Sequence, residues 1–204
     1  MPKRNTMSCV TKSIFPCFET LKAVNGEIQH LLFHQARFDK TRKELYVVAQ
    51  KISLAALLTP PKEGTYRVRV EYNNEIQKVE YIPYTPRVIQ TFALVEDNIA
   101  YTYKYCDREA LNQHLSVIAD DVLFTNHGEL KDTSIANIAL LIDGEWKTPL
   151  RPLLEGTTRA RLLASGMIKA ELLDIKSLQK AEKFAIMNAL IGFKIIDNAL
   201  WIKE

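Results

Sequence analysis

The sequence has few of the features that mark secreted, membrane-spanning or nucleic-acid-binding proteins. Its 204 residues include three cysteines, Cys9, Cys17 and Cys106, and no CxxC pair. A sparse, odd number of thiols predicts no disulfide framework and favours a reducing cytoplasm. No apolar run is long enough to span a bilayer, and the basic segment MPKRNTMSCVTK precedes no apolar core of a secretory leader. We therefore expect a cytoplasmic protein with no membrane partner.

Neither the basic nor the acidic residues are clustered along the sequence. The chain has 27 basic and 24 acidic residues, which are scattered along it and give a net charge of +3. A nucleic-acid-binding domain usually has a clustered basic face, so we expect no nucleic-acid partner. His30 and His34 have the spacing of a helical metal pair, but no third ligand of matching spacing accompanies them. We predict no metal site.

The residues that are present predict an α+β fold. Hydrophobic residues make up 47% of the chain and charged residues 25%, as in ordinary folded proteins. In the first half, Asn25-Gly26 supplies the positive φ angles of a tight turn and predicts a β-hairpin. Helical periodicity follows as far as Pro60-Pro61. Alternating residues then predict two strands that turn at Asn73-Asn74, and a further strand over 86–96.

The second half mixes short helices and strands. Asp107 is a natural N-cap for a helix over 107–121, in which Leu111, Leu115 and Ile118 form an apolar stripe. Residues 121–149 predict three short strands that turn at two glycines. Further strands are predicted over 167–175 and 182–202, and helical segments over 156–166 and 177–183. We expect an N-terminal α+β domain over 1–100 and a C-terminal domain over 101–204.

Lys104 stands between two tyrosines in YTYKYCD, at the seam between the two halves. A lysine among aromatic residues is usually a strand residue whose ammonium group reaches water. The alternative is a lysine in partly apolar surroundings, where the pKa falls and the amine can act as a nucleophile. Small-molecule sites often form between domains, so the position of Lys104 at the seam is consistent with the second interpretation.

Three other features of the second half suggest chemistry. Asp132 in KDTSIANI would by itself be a turn residue that bonds to local backbone. Gly156-Thr157-Thr158 is either a plain helix start or a phosphate site, with free N–H groups, two hydroxyls and the positive dipole end. Asn188-Ala189 lies between strands and is equally a bulge or a turn. Together with Lys104, this order of amine, acid and anion-binding helix start matches what pyridoxal phosphate needs.

The same blocks identify a family. The sequence resembles the class IV pyridoxal-phosphate enzymes, the fold type shared by branched-chain and D-amino-acid aminotransferases and by aminodeoxychorismate lyase. The resemblance implies two small α/β domains with the cofactor site at their seam, and a homodimer with active sites near the interface. The blocks that carry it are CFET at 17–20, HQARF at 34–38, Lys104 with Arg108, KDTSIANI at 131–138, TPLRPLLEGTTR at 148–159 and NALIGFKII at 188–196.

The resemblance also implies a role for each block. Lys104 would bind the cofactor covalently and act in catalysis. Asp132 would pair with the pyridine nitrogen and keep it protonated, so that the ring accepts electrons. The family usually has glutamate at this position, and its members are usually longer than this chain. The other cofactor-binding residues that the resemblance implies are Arg37, Thr157 and Thr158 at the phosphate, and Asn188 and Ala189.

Three functions are consistent with these residues. The first is an enzyme like aminodeoxychorismate lyase, which releases pyruvate as the ring becomes aromatic and gives 4-aminobenzoate for folate biosynthesis. The compact chain and the NAL block at 188–190 resemble the lyases slightly more. The second is an aminotransferase for branched-chain or D-amino acids, which uses the same lysine and cofactor. The third is a non-catalytic homologue that serves as a binding subunit, and the joint presence of Lys104, Asp132 and Gly-Thr-Thr argues against it.

Overall fold

A computed structural model of the protein describes residues 15–48, 50–115 and 119–203. The N-terminal segment 1–14, which contains Cys9, lies outside the described residues, as does Ile118. The described strands form three sheets that pack with five helices, and this arrangement confirms the predicted α+β class.

The elements of the described chain alternate between strands and mostly short helices. In chain order they are β1 (Cys17–Val24), β2 (Glu27–Ile28), α1 (Leu31–Leu45), α2 (Leu54–Leu57), β3 (Thr65–Tyr72), β4 (Ile76–Pro83), β5 (Thr91–Glu96), α3 (Glu109–Asn112), β6 (Asp121–Asn126), β7 (Glu129–Thr133), β8 (Asn137–Ile142), β9 (Glu145–Pro149), α4 (Thr157–Ala164), β10 (Lys169–Glu171), α5 (Ile175–Lys180), β11 (Lys183–Asn188), β12 (Gly192–Ile196) and β13 (Leu200–Lys203).

The N-terminal half is an antiparallel sheet of order β2-β1-β3-β4. The predicted hairpin is confirmed, with Asn25 at φ 48° and Gly26 at φ 87° in its turn. Glycine adopts this left-handed region without a Cβ penalty, which is why the turn sits there. Alternate residues of β3, Val68 and Val70, are buried in the same core cluster as Phe38 of α1. The opposite face of β3 is therefore left for other contacts.

The C-terminal half contains two sheets, of order β13-β5-β6-β7 and β10-β9-β8-β11-β12. They share a buried core that includes Phe92, Leu123, Ile138 and Phe184. Strand β5 pairs in parallel with both β6 and β13. Sheet membership thus changes between β4 and β5, before the domain boundary predicted at residue 100, and the division into two domains stays a prediction.

Several of the predicted elements are wrong in extent, and the strands predicted over 86–96 and 167–175 are reduced to β5 and β10. The helix over 107–121 is reduced to α3, because Asp121 begins β6 and pairs with Phe92. The N-cap predicted at Asp107 is one residue early, because Arg108 is the N-cap residue of α3, although the Asp107 Oδ1 accepts a hydrogen bond from the Glu109 N–H at 3.0 Å. Residues 121–149 form four strands instead of three. The extra break follows Thr133, whose hydroxyl accepts the Ala136 N–H at 3.0 Å and turns the chain between β7 and β8.

Candidate active site

A cavity of about 670 Å³ lies between the N-terminal sheet and the C-terminal half. Phe18 and Thr20 of β1 line one side of it, and the start of α4 lines another. Thr158 is buried but is not among the lining residues. The structure brings the other sequence-predicted site residues to this cavity, namely Arg37, Lys104, Asp132, Thr157, Asn188 and Ala189.

Lys104 is positioned by backbone pairing between the two halves. Its carbonyl accepts the Phe18 N–H at 2.8 Å, and the next residue, Tyr105, makes an antiparallel bridge with Cys17. The Lys104 Nζ lies 4.7 Å from the centroid of the Phe18 ring. Burial, reinforced by the positive charges of Arg37 and Arg108, lowers the pKa of Lys104 to about 7. A large fraction of this amine is therefore neutral near physiological pH, as a nucleophile requires.

Asp132 is buried at the end of β7, and both of its oxygens are already bonded. Its Oδ1 accepts the Asn137 side-chain N–H at 2.8 Å, and its Oδ2 accepts the Leu154 backbone N–H at 2.9 Å. Burial raises the pKa of Asp132 to about 6, although these hydrogen bonds oppose the rise. Each carboxylate oxygen retains a second lone pair. Asp132 can therefore accept a further hydrogen bond from a cationic group in the cavity.

Gly156 is the N-cap residue of α4 and has no side-chain capping bond. A Cβ built at Gly156 would lie 1.9 Å from the Asn137 Oδ1, so only glycine fits beside that amide. The N–H groups in the first turn of α4 have no partner within the helix, and the Thr157 hydroxyl lies beside them at the cavity. This arrangement can bind an anionic group through N–H donors and the helix dipole.

The buried carboxylate of Glu19 fixes Arg37, although the sequence motifs predicted no role for Glu19. Glu19 accepts the Arg37 Nε at 2.8 Å and the second guanidinium nitrogen at 2.6 Å. The same carboxylate is 2.7 Å from the His34 Nδ1, and the His34 Nε2 lies 3.4 Å from the Thr157 Oγ1. Burial would raise the pKa of Glu19, but Arg37 and His34 outweigh it and hold that pKa at about 2. A chain of polar contacts thus connects Arg37 to the start of α4.

Asn188 is the last residue of β11, and Ala189 begins the turn to β12. The Asn188 side-chain oxygen accepts the N–H groups of Leu190 and Ile191 at 2.9 and 3.0 Å, and its Nδ2 donates to the Ile135 carbonyl at 3.2 Å. The asparagine therefore holds two loops together at the cavity wall, and Ala189 lies beside it.

The sequence of the C-terminal half matches a known protein family. Residues 102–198 match the sequence profile of amino-transferase class IV. A solved structure from Haemophilus somnus 129pt, provisionally named a 4-amino-4-deoxychorismate lyase, is 32% identical, with a TM-score of 0.81. The match covers 88% of this chain and 98% of that one. The chain belongs to the class IV aminotransferase family.

Two further relatives of this class IV family member come from other organisms. A protein of Haemophilus influenzae with no characterized function is 32% identical over 187 residues, which cover 88% of this chain and all of that protein. A Schizosaccharomyces pombe protein provisionally named aminodeoxychorismate lyase is 32% identical over 126 residues, or 56% of this chain and 54% of that protein. The predicted family and its fold are thus confirmed.

Several residues of this class IV site were not predicted from the sequence. Glu19 and His34 stood inside matched blocks but received no role in the site, and Asn137 was not connected to Asp132. Arg67 and Arg69 also line the cavity, and their alternation with valine in TYRVRVEY was a signal that could have found them. Among the described residues, no group of three or more histidine, cysteine, aspartate or glutamate side chains is arranged to hold a metal. Within the same residues, no helix is both long and apolar enough to cross a membrane.

Proposed function

We propose that this class IV aminotransferase family member binds pyridoxal phosphate in the cavity and converts aminodeoxychorismate into 4-aminobenzoate and pyruvate. The observation that carries the proposal is Lys104, a half-buried amine in the cavity with a pKa lowered to about 7. Such an amine is neutral often enough to bond to the cofactor aldehyde. The family consists of pyridoxal-phosphate enzymes, and the cavity residues have the chemistry that this cofactor requires.

The proposed cofactor contacts follow from the donors and acceptors at the cavity. The N–H groups at the start of α4 and the Thr157 hydroxyl would hold the phosphate. Arg37 would add positive charge, since its bonds to Glu19 fix two nitrogens and leave the third with only a 3.5 Å contact to a carbonyl. Asp132 would accept a hydrogen bond from the ring nitrogen.

When bound, pyridoxal phosphate supplies a protonated ring that accepts the electrons released at the substrate carbon. The protein residues then have two tasks. The Asp132 carboxylate holds the proton on the ring nitrogen, because a buried negative charge favours a cation beside it. The Lys104 Nζ would carry a proton within the cavity, and its near-neutral pKa suits both uptake and return of that proton.

The lyase reaction is favoured over an aminotransferase for branched-chain amino acids by the charge of the cavity wall. Aminodeoxychorismate carries two carboxylates, whereas a branched-chain amino acid carries one and an apolar side chain. The cavity is lined by six basic side chains and one acidic side chain, Asp132. The name of the Haemophilus somnus 129pt relative agrees with this preference.

The test is a product assay with the purified protein and added pyridoxal phosphate. Aminodeoxychorismate alone should yield 4-aminobenzoate and pyruvate in equal amounts over many turnovers, with no keto acid present. Borohydride reduction followed by peptide mass spectrometry should place the cofactor on Lys104, and Lys104→Ala should abolish both results. If a common amino acid instead bleaches the cofactor absorbance, a keto acid restores it and no 4-aminobenzoate forms, the protein is an aminotransferase.

We also propose that the protein is a homodimer, as the family resemblance implies. Light scattering on the size-exclusion peak measures this directly. A mass near twice 23.3 kDa is expected, and a mass near 23.3 kDa would contradict it.

A further inference from the structure

The cavity has more positive charge than a cofactor phosphate would neutralise. A bound phosphate monoester brings about −1.5 to −2 charges. Two of the basic side chains are already paired, Arg37 with Glu19 and Arg69 with Glu71, at 2.6 and 2.7 Å. The six basic side chains that line the cavity are Arg37, Arg67, Arg69, Arg87, Lys104 and Arg108.

The surplus charge is carried by three of the basic side chains that line the cavity. Arg67 and Arg87 form no salt bridge with any described residue, and Arg108 donates only to the Ser134 carbonyl, at 2.7 Å. Arg67 is exposed, so its charge is solvated when the cavity is empty. Charged groups that line a cavity without a partner attract a ligand of opposite charge.

The register of β3 sets Arg67 and Arg69 on the same face. Val68 and Val70 point into the core, so the arginines on either side of Val68 point to the other face, about 7 Å apart along the strand. In the neighbouring strand β1, Thr20 is directly opposite Arg69, and Lys22 is opposite Arg67. The two guanidinium groups therefore occur in series along one wall of the cavity.

Arg69 is held close to Lys104 by a shared aromatic ring. Its Cζ lies 3.8 Å from the centroid of Phe18, and the Lys104 Nζ lies 4.7 Å from the same centroid. The two charged groups are therefore at most 8.5 Å apart, the sum of these distances. Stacking on Phe18 and the bond to Glu71 restrict the Arg69 side chain in advance, which lowers the entropic cost of binding an anion.

Arg67 continues this positive surface away from Lys104. Arg67 is opposite Ile82 of β4 in the sheet register, and Arg87 lies in the segment that follows β4 and lines the same cavity. Tyr84 also lines the cavity. An anion that contacts Arg67 would thus meet a second guanidinium and a hydroxyl donor in the same region.

We propose that Arg67 and Arg69 form a carboxylate-binding subsite that selects amine substrates bearing a second carboxylate remote from the amine. The inference rests on the proposed function, in which Lys104 marks the position of the reacting amine. Arg69 would bind the carboxylate nearer to Lys104, and Arg67, with Arg87 lining the same cavity, would bind the more distant one. Guanidinium groups suit this role because their planar N–H pairs match the two oxygens of a carboxylate.

The subsite is tested with unreactive probes by titration calorimetry, using the purified protein after addition of pyridoxal phosphate. The probes are isophthalate, with two carboxylates, and benzoate, with one. The parent protein should bind isophthalate roughly 10-fold or more tightly than benzoate, because each charged hydrogen-bonded contact is worth at least about that factor. Arg67→Gln and Arg69→Gln should each reduce this preference about 10-fold.

The matched control is Arg151→Gln. Arg151 is exposed, pairs with Glu129 at 2.8 Å and does not line the cavity, so the variant removes the same charge elsewhere. It should keep the full preference for isophthalate. Arg69→Lys retains the charge without the planar fork and should recover only part of it. Thermal unfolding of each variant identifies any that fail to fold, and Arg67→Gln, at an exposed position, carries the test if Arg69→Gln does not fold.

The outcomes separate this inference from the proposed function. If no 4-aminobenzoate is formed but the preference for isophthalate is present and falls in Arg67→Gln, the subsite stands and the lyase assignment fails. If the parent binds the two probes equally, or Arg67→Gln keeps the same preference as Arg151→Gln, the subsite is wrong whichever reaction the protein catalyses.

Discussion

The lowered pKa of Lys104 leads to a prediction that needs no substrate. At a pKa of about 7, half of the Lys104 amines are neutral at pH 7. At the ordinary lysine value, roughly one amine in 3,000 would be neutral at that pH. Because only the neutral amine reacts with aldehydes, Lys104 should be modified far faster than exposed lysines in neutral solution.

The assay is reductive methylation of the cofactor-free protein with a limiting amount of formaldehyde between pH 5.5 and 10.5, with peptide mass spectrometry as the readout. Labelling of Lys104 should rise with a midpoint near pH 7 and then level off. Lys62, which is exposed, serves as an internal reference for reagent reactivity. The comparison is made within one sample, so differences in reagent concentration cancel.

A charge variant tests the cause of the shift. Arg108 is one of the cations that disfavour the Lys104 ammonium, so Arg108→Gln should move the midpoint upward by about half to one pH unit. Arg151→Gln, which removes a charge outside the cavity, should leave the midpoint in place. A Lys104 midpoint near pH 10 in the parent, or equal midpoints in the parent and Arg108→Gln, would refute the reasoning.

Three further predictions follow from the cavity wall. Gly156→Ala places a Cβ 1.9 Å from the Asn137 Oδ1 and should therefore break the hydrogen bond from Asn137 to Asp132. Urea denaturation should show a loss of about 2–4 kcal/mol in the free energy of unfolding, and an unchanged midpoint would contradict the close approach. Thr157→Val should weaken pyridoxal phosphate binding roughly 10-fold in an absorbance titration. Thr158→Val should leave binding unchanged, because of the two threonines only Thr157 lines the cavity, and equal effects of the two substitutions would rule out this distinction. Burial raises the pKa of Asp132 from 3.8 to about 6, so its contribution to stability is present below pH 4 and is lost as the pH rises through 6. Relative to Asp132→Asn, the free energy of unfolding of the cofactor-free parent should fall by about 2 kcal/mol between pH 4 and 7, and a constant difference would show that Asp132 does not titrate there.

Local chemistry made much of the fold predictable. The turn at Asn25-Gly26 depends on positive φ angles that few residue pairs adopt, so its position could be inferred without knowledge of the rest of the chain. The alternation of valine and arginine in β3 similarly specified which side chains share a face. The helix over 107–121 was overestimated because its apolar spacing was local, whereas the pairing of Asp121 with Phe92 is a long-range contact.

The order of the site residues was also visible in the sequence. Lys104, Asp132 and the Gly156-Thr157 helix start were found from residue type, spacing and family resemblance, and all of them line one cavity. Thr158 was predicted to share the phosphate role, but adjacent residues of a helix point in directions about 100° apart. The direction that faced the cavity depended on how α4 packs, which no local pattern specified.

By itself the sequence determined which reactive groups this protein carries and in what order, because turns, strand alternation and helix starts depend on neighbouring residues. Only the tertiary structure decided how those groups behave. It placed Lys104 against Phe18 and within 8.5 Å of Arg69, joined Arg37 to Glu19, and brought Asn137 against Gly156. The lowered pKa of Lys104 and the raised pKa of Asp132 arise from burial and from charges distant in the chain. Such shifts depend on desolvation and on distances in space, which are fixed only when the sheets pack together.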